Sequence, residues 1–427
     1  MKYSLFDINF FFKKIQQKGF FHLLSANVLI QVFAFASQLF VAGILSPDDI
    51  GRIKIIQSYL SIFSIIAGMG FNASTLKICS ENKTHKENTD FFNSALIFTL
   101  ISSLTVYITI LTLNAFQIFS TDILIKWLIP LGLFPLISNS FFTLYISYFQ
   151  ASKEIKLLSS LIVYSKLLSI IAVIALTFYW GIEGYYYAYN VSFILMLSVV
   201  VLLMRKFVKF SFDFKIGQKF KEHWNYARPN VMAGIISEVS GLVDIILISF
   251  MIKDMYEIGY YGFALTLTIA LRIFPTTVQQ ITIPYFSSFN QNKEEFLKIF
   301  NKYNRMLHLV VMSSLIVFII LMPIIIQLIF GPKYDKSFFY LIFLSIGWSI
   351  RNLNHLQSGA IFGLGKIKYN AYTVLFVLIG NVIIYPIAIN LFGINGAAYA
   401  SISSGLIFLI ASRYFFNKAV KNTIWKN

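Results

Sequence analysis

Apolar runs long enough to cross a lipid bilayer recur from one end of this sequence to the other. A helix needs about 20 mainly apolar residues to span the hydrocarbon core. Because 57% of the 427 residues are hydrophobic and only 12% are charged, the chain has too little polar surface to coat a soluble protein of this size. We therefore predict an all-α integral membrane protein with twelve transmembrane helices near residues 22–45, 53–76, 92–115, 123–148, 157–179, 183–204, 226–252, 258–283, 304–330, 337–362, 370–392 and 394–416.

The positive charges lie mainly at the two ends of the chain and in the loops that follow even-numbered helices. Lys and Arg concentrate in cytoplasmic loops, so this asymmetry places both termini in the cytoplasm. The net charge of +17 does not indicate a nucleic-acid partner, because loops this short cannot form a basic domain face. The exceptions to the asymmetry are Arg52, Lys54, Lys253, Lys333 and Lys336 in or beside the other loops, and Lys126, Lys166, Arg228, Arg272 and Arg351 inside predicted helices.

Short similarities at a nearly constant separation indicate that the second half of the chain repeats the first. The matching pairs are 49–52 with 257–260, 149–153 with 362–366, and 181–188 with 393–400. Since each repeat contains six helices, both begin on the same side of the membrane, and a cleft is expected on the axis that relates them. The predicted organisation is an interfacial or disordered N-terminal segment 1–21, an N-lobe 22–204, a basic cytoplasmic linker 205–225, a C-lobe 226–416 and a cytoplasmic tail 417–427.

The seventh predicted helix carries three ionisable residues that a lipid-facing helix would exclude. Such residues cost about 2.5–3.5 kcal/mol on insertion scales and usually face a cavity or the bundle interior. Glu238 and Asp244 fall with small and polar residues on one side of this helix, and large aliphatic residues fill the other. Arg228 precedes Pro229 in the first turn, near the cytoplasmic mouth. We interpret Arg228 as a substrate-attracting cation and the two acids as candidates for ion coupling; structural pairing of the acids with a cation is the alternative.

The eighth predicted helix has a polar face and two prolines. Arg272 and Gln279 lie two turns apart on the same side. Pro275 and Pro284 remove backbone donors and are expected to break or kink the helix, as occurs where transporters bind substrate. A kink that serves only packing is the alternative interpretation.

The tenth predicted helix is the least apolar of the twelve, with Trp348, Arg351, Asn354 and His355 close together. Indole, amide and guanidinium groups suit a ligand that combines hydroxyl-rich sugar with phosphate, because a planar guanidinium donates two parallel hydrogen bonds. The equivalent position in the first half is Asn139, which has no arginine near it. An ordinary hydrogen-bonded role is favoured for the isolated His355, and no metal site is predicted.

Polar residues of the first half complete the candidate lining. Asn27 and Gln31 share a stripe of the first helix, and Lys166 lies within the fifth. Interhelical hydrogen bonding explains the amides equally well, and a lysine near the interface can extend its amine to water. The predicted cationic cleft is formed by Arg228, Arg272, Arg351 and Lys166, and the predicted glycan contacts are Asn27, Gln31, Asn139, Gln279, Trp348, Asn354 and His355.

Cations outnumber carboxylates inside the predicted helices, so the cleft should attract an anion. The sequence shows no Walker motif, nucleophile elbow or HExxH motif, which argues against an ATPase or a hydrolase. A single cysteine, Cys79, excludes an internal disulfide and a cysteine-based metal cluster. We expect a transporter that is not an enzyme and needs no cofactor; coupling to H⁺ or Na⁺ is left open.

Four short motifs lie at helix boundaries: Leu45–Gly51, Gly181–Gly184, Ile283–Ser287 and Gly393–Ala398. Together they resemble the polysaccharide-exporter branch of the multidrug/oligosaccharidyl-lipid/polysaccharide exporter superfamily, most closely its O-antigen flippases (Wzx-type). The resemblance implies two six-helix lobes and alternating access. It implies a cargo of undecaprenyl-diphosphate-linked oligosaccharide, an O-antigen or capsule repeat unit, that crosses a bacterial inner membrane during lipopolysaccharide or polysaccharide biosynthesis. Membrane lipid is the other implied partner, and contact with a polymerase and other polysaccharide-assembly proteins is left open.

Two other functions compete with this one. A multidrug/cation antiporter of the same superfamily should have a negatively charged lumen, whereas the predicted helices here carry an excess of cations. A membrane glycan polymerase is expected to carry a large outer loop, and no predicted outer loop exceeds about a dozen residues.

Overall fold

The computed structural model describes residues 33–81, 84–152, 154–204, 216–289 and 292–425. Asn27, Gln31, segment 1–21 and residues 205–215 of the predicted linker lie outside the described residues. Within the described ranges the chain is helical and contains no strand. The helices, numbered in chain order, are α1 Phe33–Ile44, α2 Pro47–Gly68, α3 Phe71–Cys79, α4 His85–Ala115, α5 Ile123–Leu133, α6 Pro135–Ala151, α7 Ile155–Met204, α8 Ile216–Met251, α9 Met255–Thr268, α10 Ala270–Ser288, α11 Lys293–Phe330, α12 Ser337–Leu353, α13 His355–Gly363, α14 Lys368–Phe392 and α15 Ile394–Lys421.

Nine helical segments among the described residues are long and apolar enough to cross a membrane. Predicted spans 5 and 6 both fall within α7, which turns sharply at Gly181. Predicted span 10 is divided at Asn354 into α12 and α13, each too short to be counted alone. The all-α membrane fold is therefore confirmed, whereas the count of twelve and the side of the membrane that holds the termini stay predictions.

Two glycines at equivalent positions of the repeat reverse the chain between consecutive helices. Gly181 has φ 58° and ψ −138°, and Gly393 has φ 60° and ψ −147°. This region of backbone space is open almost only to glycine. The repeat seen in the sequence thus corresponds to the same turn in both halves of the molecule.

Helix α2 begins at Pro47, earlier than the predicted start at residue 53. Ser46 precedes it with extended backbone, proline occupies the first turn, and Asp48 and Asp49 place negative charge at the positive end of the helix dipole. Lys54, which the sequence analysis placed in or beside a loop, therefore lies two turns inside the helix.

Helix α8 also begins early, at Ile216 instead of residue 226. Its added turns are amphipathic, and Phe220 stacks on Trp224 with ring centres 6.0 Å apart. The imidazole of His223 is fully buried and lies 2.8 Å from the hydroxyl of Ser74. These contacts fasten the start of the second half to the first half.

The first half (α1–α7) and the second half (α8–α15) meet most closely where α2 crosses α9. A Cβ atom on Gly51 would lie 2.8 Å from the carbonyl oxygen of Met255, and one on Gly259 would lie 1.7 Å from that of Pro47. Gly51 and Gly259 occupy matching positions of the repeat, so the pseudo-symmetry brings two glycines together at the closest approach. We call this end of the bundle, where the odd-numbered loops lie, the outer end, and the opposite, predicted cytoplasmic end the inner end.

The hydrophobic core is shared at the outer end and divided at the inner end. One continuous cluster at the outer end contains residues of both halves, such as Leu45 and Ile258. At the inner end the cluster around Phe149 includes mainly residues of the first half, whereas that around Phe286 and Phe416 belongs to the second. The two halves thus have mainly separate cores at the inner end, where the start of α8 packs against the first half.

Candidate functional site

A central cleft of about 760 Å³ separates the two halves. Glu238 is the only acidic or basic side chain among the described residues that line it. Because α2, α3 and α6 form one wall and α8, α13 and α14 the other, a ligand in the cleft contacts both halves. The polar residues of its lining are Ser61, Ser64, Asn72, Asn139, Ser140, Thr143, Asn230, Ser237, Glu238, Ser358 and Asn370.

Arg272 and Arg351 are held on one aromatic ring. The guanidinium carbon of Arg272 lies 4.8 Å from the ring centre of Trp348, and that of Arg351 lies 5.5 Å from it. Arg351 also packs over Phe408, at 4.9 Å. Neither guanidinium forms an ion pair with a carboxylate of the described residues. The structure therefore brings together three residues that the sequence analysis selected from two separate helices.

Glu238 and Asp244 on α8 each act on one of these arginines from beyond ion-pair distance. Glu238 attracts Arg272, and Asp244 attracts Arg351, whereas the two arginines repel each other. Glu238 is half-buried in the wall of the central cleft, and Asp244 is buried. The second half thus contains a cluster of two cations and two anions.

Asp244 lies in a small pocket within the second half. The pocket measures about 30 Å³, roughly the volume of one water molecule. The carboxylate of Asp244 accepts a 2.9 Å hydrogen bond from the Tyr261 hydroxyl. The Ser240 hydroxyl and the Asn381 amide oxygen line the same pocket and are buried without a hydrogen-bond partner among the described residues.

Two other predicted contacts in the second half, the amides of Gln279 and Asn354, form hydrogen bonds between helices, whereas the imidazole Nε2 of His355 is buried with no hydrogen-bond partner among the described residues. Gln279 donates a 2.9 Å hydrogen bond to the carbonyl oxygen of His355. The amide of Asn354 is buried and donates to the carbonyl of Leu409 at 2.8 Å and to the Ser412 hydroxyl at 3.0 Å. These amides close the break between α12 and α13 instead of facing the central cleft.

Arg228 is exposed and lies apart from the arginine pair. It is ten residues before Glu238 on α8, which corresponds to about 15 Å along a helix. It is absent from the described lining of the central cleft, which begins on this helix at Asn230. Arg272 and Arg351 are absent from that lining as well, and Arg351 instead lines the small pocket that contains Asp244.

A second cavity, of about 310 Å³, lies within the first half, and we call it the N-half cavity. Two lysines line it, Lys54 from α2 and Lys166 from α7, and no Asp or Glu is among its described lining residues. Asn139 and Thr143 line both this cavity and the central cleft, so the two are adjacent. Helix α9 of the second half closes one side with Phe263 and Thr266.

Lys54 was not predicted as a site residue, because the predicted start of its helix, residue 53, is six residues after the observed start at Pro47. The available signal was the N-terminal pattern Ser-Pro-Asp-Asp at residues 46–49, which combines a capping residue, a first-turn proline and two first-turn acids. The aliphatic stem of Lys54 packs against α9, where its Cγ lies 2.7 Å from the position that a Cβ on Gly262 would occupy. Its amine donates to the Gln57 side-chain oxygen at 3.5 Å.

Solved structures of known transporters share this fold. The lipid II flippase MurJ in an inward closed conformation aligns with a TM-score of 0.78 and 16% identity over 95% of this chain and 91% of that chain. An inward-facing multidrug resistance MATE family transporter of the MOP superfamily aligns with a TM-score of 0.72 and 12% identity over 92% of this chain and 96% of that chain. A MOP superfamily transporter from Pyrococcus furiosus, which has a binding pocket of reverse polarity, aligns with a TM-score of 0.62 and 13% identity over 93% of both chains.

These similarities confirm the MATE-like fold with its two related bundles. No curated protein matches the chain. A model of the polysaccharide biosynthesis protein family matches residues 17–290, which is more than half of the sequence. The family match confirms the resemblance seen in the short motifs, and the chain belongs to the polysaccharide biosynthesis protein family.

Proposed function

We propose that this protein is a flippase that moves an undecaprenyl-diphosphate-linked oligosaccharide, an O-antigen or capsule repeat unit, across a bacterial inner membrane. The observation that carries the proposal is the arginine pair on Trp348, which has no carboxylate of the described residues within ion-pair distance. Cations in a membrane are costly and usually serve a partner. Guanidinium groups bind phosphate oxygens through paired hydrogen bonds, so a diphosphate is a fitting partner for two of them.

The cleft geometry supports alternating access. The two halves share one core at the outer end and have separate cores at the inner end, so the cleft is open towards the side that we predict to be cytoplasmic. Cargo enters there, with its lipid tail remaining in the bilayer. Release on the other side requires α2 and α9 to separate at Gly51 and Gly259 while the inner cores approach each other.

Glu238 and Asp244 on α8 are the candidates for coupling to H⁺ or Na⁺. When Glu238 or Asp244 binds a cation, the field at Arg272 and Arg351 becomes more positive, and the site binds an anion more tightly. Beside Asp244, the oxygens of Ser240 and Asn381 have no hydrogen-bond partner among the described residues, and oxygens of this type accept hydrogen bonds or coordinate a small hard cation.

The test is transport of a fluorescent undecaprenyl-diphosphate oligosaccharide in vesicles that contain the purified protein. Dithionite destroys fluorophores in the outer leaflet, so the protected fraction reports exchange between leaflets. We expect exchange by the wild type, strong losses in Arg272→Ala and Arg351→Ala, and little change in Arg413→Ala, which removes an exposed arginine of α15.

Each alternative outcome has a defined meaning. Exchange at the wild-type rate in both arginine variants would exclude the proposed site. If the wild type exchanged no lipid-linked glycan but exported an organic cation in a gradient-dependent manner, the protein would be a drug antiporter.

A further inference from the structure

The N-half cavity is lined largely by apolar side chains, and the fixed charges among its described lining residues are both positive. Lys54 and Lys166 supply those charges, and no described acidic residue lines the cavity. Neither lysine forms an ion pair within the part of the chain that the structure describes. Removing unpaired cations from water is costly, so a cavity built in this way is suited to an anion.

The position of Lys54 is fixed by packing. Its stem lies against the Gly262 backbone, where any side chain larger than hydrogen would collide with it. Its amine donates a hydrogen bond to the side-chain oxygen of Gln57, and the Gln57 amide nitrogen donates in turn to the Tyr185 hydroxyl at 2.5 Å. The amine is therefore held at the wall of the cavity by a chain of neutral groups that do not cancel its charge.

The neutral lining is suited to a sugar. Gln38, Asn139, Ser165 and Ser169 supply amide and hydroxyl groups for hydrogen bonds with ligand hydroxyls. The rings of Tyr185 and Tyr189 lie 5.0 Å apart and give the cavity an aromatic surface. A volume of about 310 Å³ is at the lower end of the range for small-molecule sites, which limits the ligand to one or two sugar rings.

We propose that the N-half cavity binds a carboxylate-bearing sugar of the transported glycan. This inference rests on the proposed function and adds to it that the glycan is acidic. We assign the diphosphate to Arg272 and Arg351, because a planar guanidinium donates two parallel hydrogen bonds to phosphate oxygens, whereas the ammonium group of a lysine acts as a point charge. Because Asn139 and Thr143 line both spaces, a glycan in the central cleft reaches the N-half cavity directly.

The test compares two undecaprenyl-diphosphate trisaccharides that differ only in the terminal residue, glucuronic acid in one and glucose in the other. Binding to detergent-solubilised protein is measured by native mass spectrometry, with both lipids in competition, and leaflet exchange is measured in vesicles. The variants are Lys54→Gln, Lys166→Gln and Arg351→Gln. The matched control is Lys253→Gln, which removes an exposed lysine between α8 and α9.

We expect the wild type and Lys253→Gln to prefer the acidic lipid by about tenfold. The preference should fall to about threefold or less in Lys166→Gln and Lys54→Gln. Arg351→Gln should weaken the binding of both lipids and leave the ratio of their affinities unchanged. Lys166 is exposed to the cavity, so Lys166→Gln tests the proposal even if Lys54→Gln fails to fold.

Equal binding of the two lipids by the wild type would overturn the proposal. The proposal would also be overturned if the lysine variants weakened the binding of both lipids equally, because the cavity would then bind the diphosphate that the two lipids share. A wild type that prefers the acidic lipid in binding but exchanges neither lipid would retain the binding site and exclude the proposed function.

Discussion

Gly51 and Gly259 pack backbone against backbone at the outer end of the bundle. A Cβ atom on Gly51 would lie only 2.9 Å from the backbone nitrogen of Gly259. Real Cβ atoms do not approach a neighbouring backbone so closely, so the closed outer end depends on the absence of side chains at both positions.

Replacing Gly259 by alanine should destabilise the closed outer end. The added methyl group would meet the Pro47 carbonyl at 1.7 Å, and overpacking of this kind costs about 1–3 kcal/mol. We expect a lower thermal unfolding midpoint for Gly259→Ala in detergent. Gly217→Ala is the control, because a Cβ on this helical glycine meets nothing within 4 Å. Equal midpoints for the two variants would show that the crossing can relax without loss.

The turns at Gly181 and Gly393 should also require glycine, for a different reason. Space is open around both, but their backbone conformation costs other residues about 1–3 kcal/mol. Gly181→Ala and Gly393→Ala should each lower the thermal midpoint. Gly241→Ala, at an unstrained helical position with open space, should be neutral or slightly stabilising. A neutral result at both turns would contradict the assigned backbone conformation.

Trp348 should contribute to anion binding without contacting the anion. Because its ring holds both guanidiniums, Trp348→Leu should weaken binding of the lipid diphosphate by about 2- to 30-fold, the range expected for loss of cation–π contacts. Trp348→Phe should recover part of that loss. Titration with the fluorescent lipid measures the effect, and Trp127→Leu provides a control at a highly exposed tryptophan. Full affinity in Trp348→Leu would rule out this positioning role.

Neutralising Glu238 should strengthen anion binding. Its charge opposes the field of Arg272, so Glu238→Gln should tighten lipid diphosphate binding by about 2- to 5-fold, a small factor because the cleft is screened by water. Glu154→Gln, on an exposed loop, should leave binding unchanged. Weaker binding in Glu238→Gln would indicate that this carboxylate contacts the cargo through a hydrogen bond.

Asp244 and Tyr261 should be coupled energetically. Tyr261→Phe removes the donor to a buried carboxylate, which costs about 1–3 kcal/mol. Asp244→Asn removes the charge that needs this donor. In a double-mutant cycle of unfolding free energies the two losses should therefore be less than additive, by about 0.5–3 kcal/mol. Strict additivity would show that the hydrogen bond contributes nothing.

Much of the fold follows from local sequence signals. The apolar runs predicted the positions of the helices, since length and hydropathy decide whether a helix crosses a bilayer. The sequence also predicted the division within α7, because the glycine motif at Gly181 separates the predicted helices 157–179 and 183–204. The division between α12 and α13 was less accessible, because it depends on hydrogen bonds from Asn354 to Leu409 and Ser412, which are distant in the sequence.

The candidate site was only partly predictable for the same reason. Arg272 and Arg351 were identified because guanidinium groups are out of place in an apolar run, but their contact through Trp348 depends on how α10 packs against α12. Asn354 met the same criterion and yet is used for packing. Polarity within a helix predicts that a residue faces away from lipid, and it does not distinguish a cavity from a neighbouring helix.

The shared core at the outer end has a consequence for biogenesis. When α1–α7 have left the ribosome, their inner-end core can already pack, but the outer face of α2 around Gly51 has no partner until α9 is synthesised. A chain truncated after α7 therefore exposes an unfinished surface at the outer end, around Gly51.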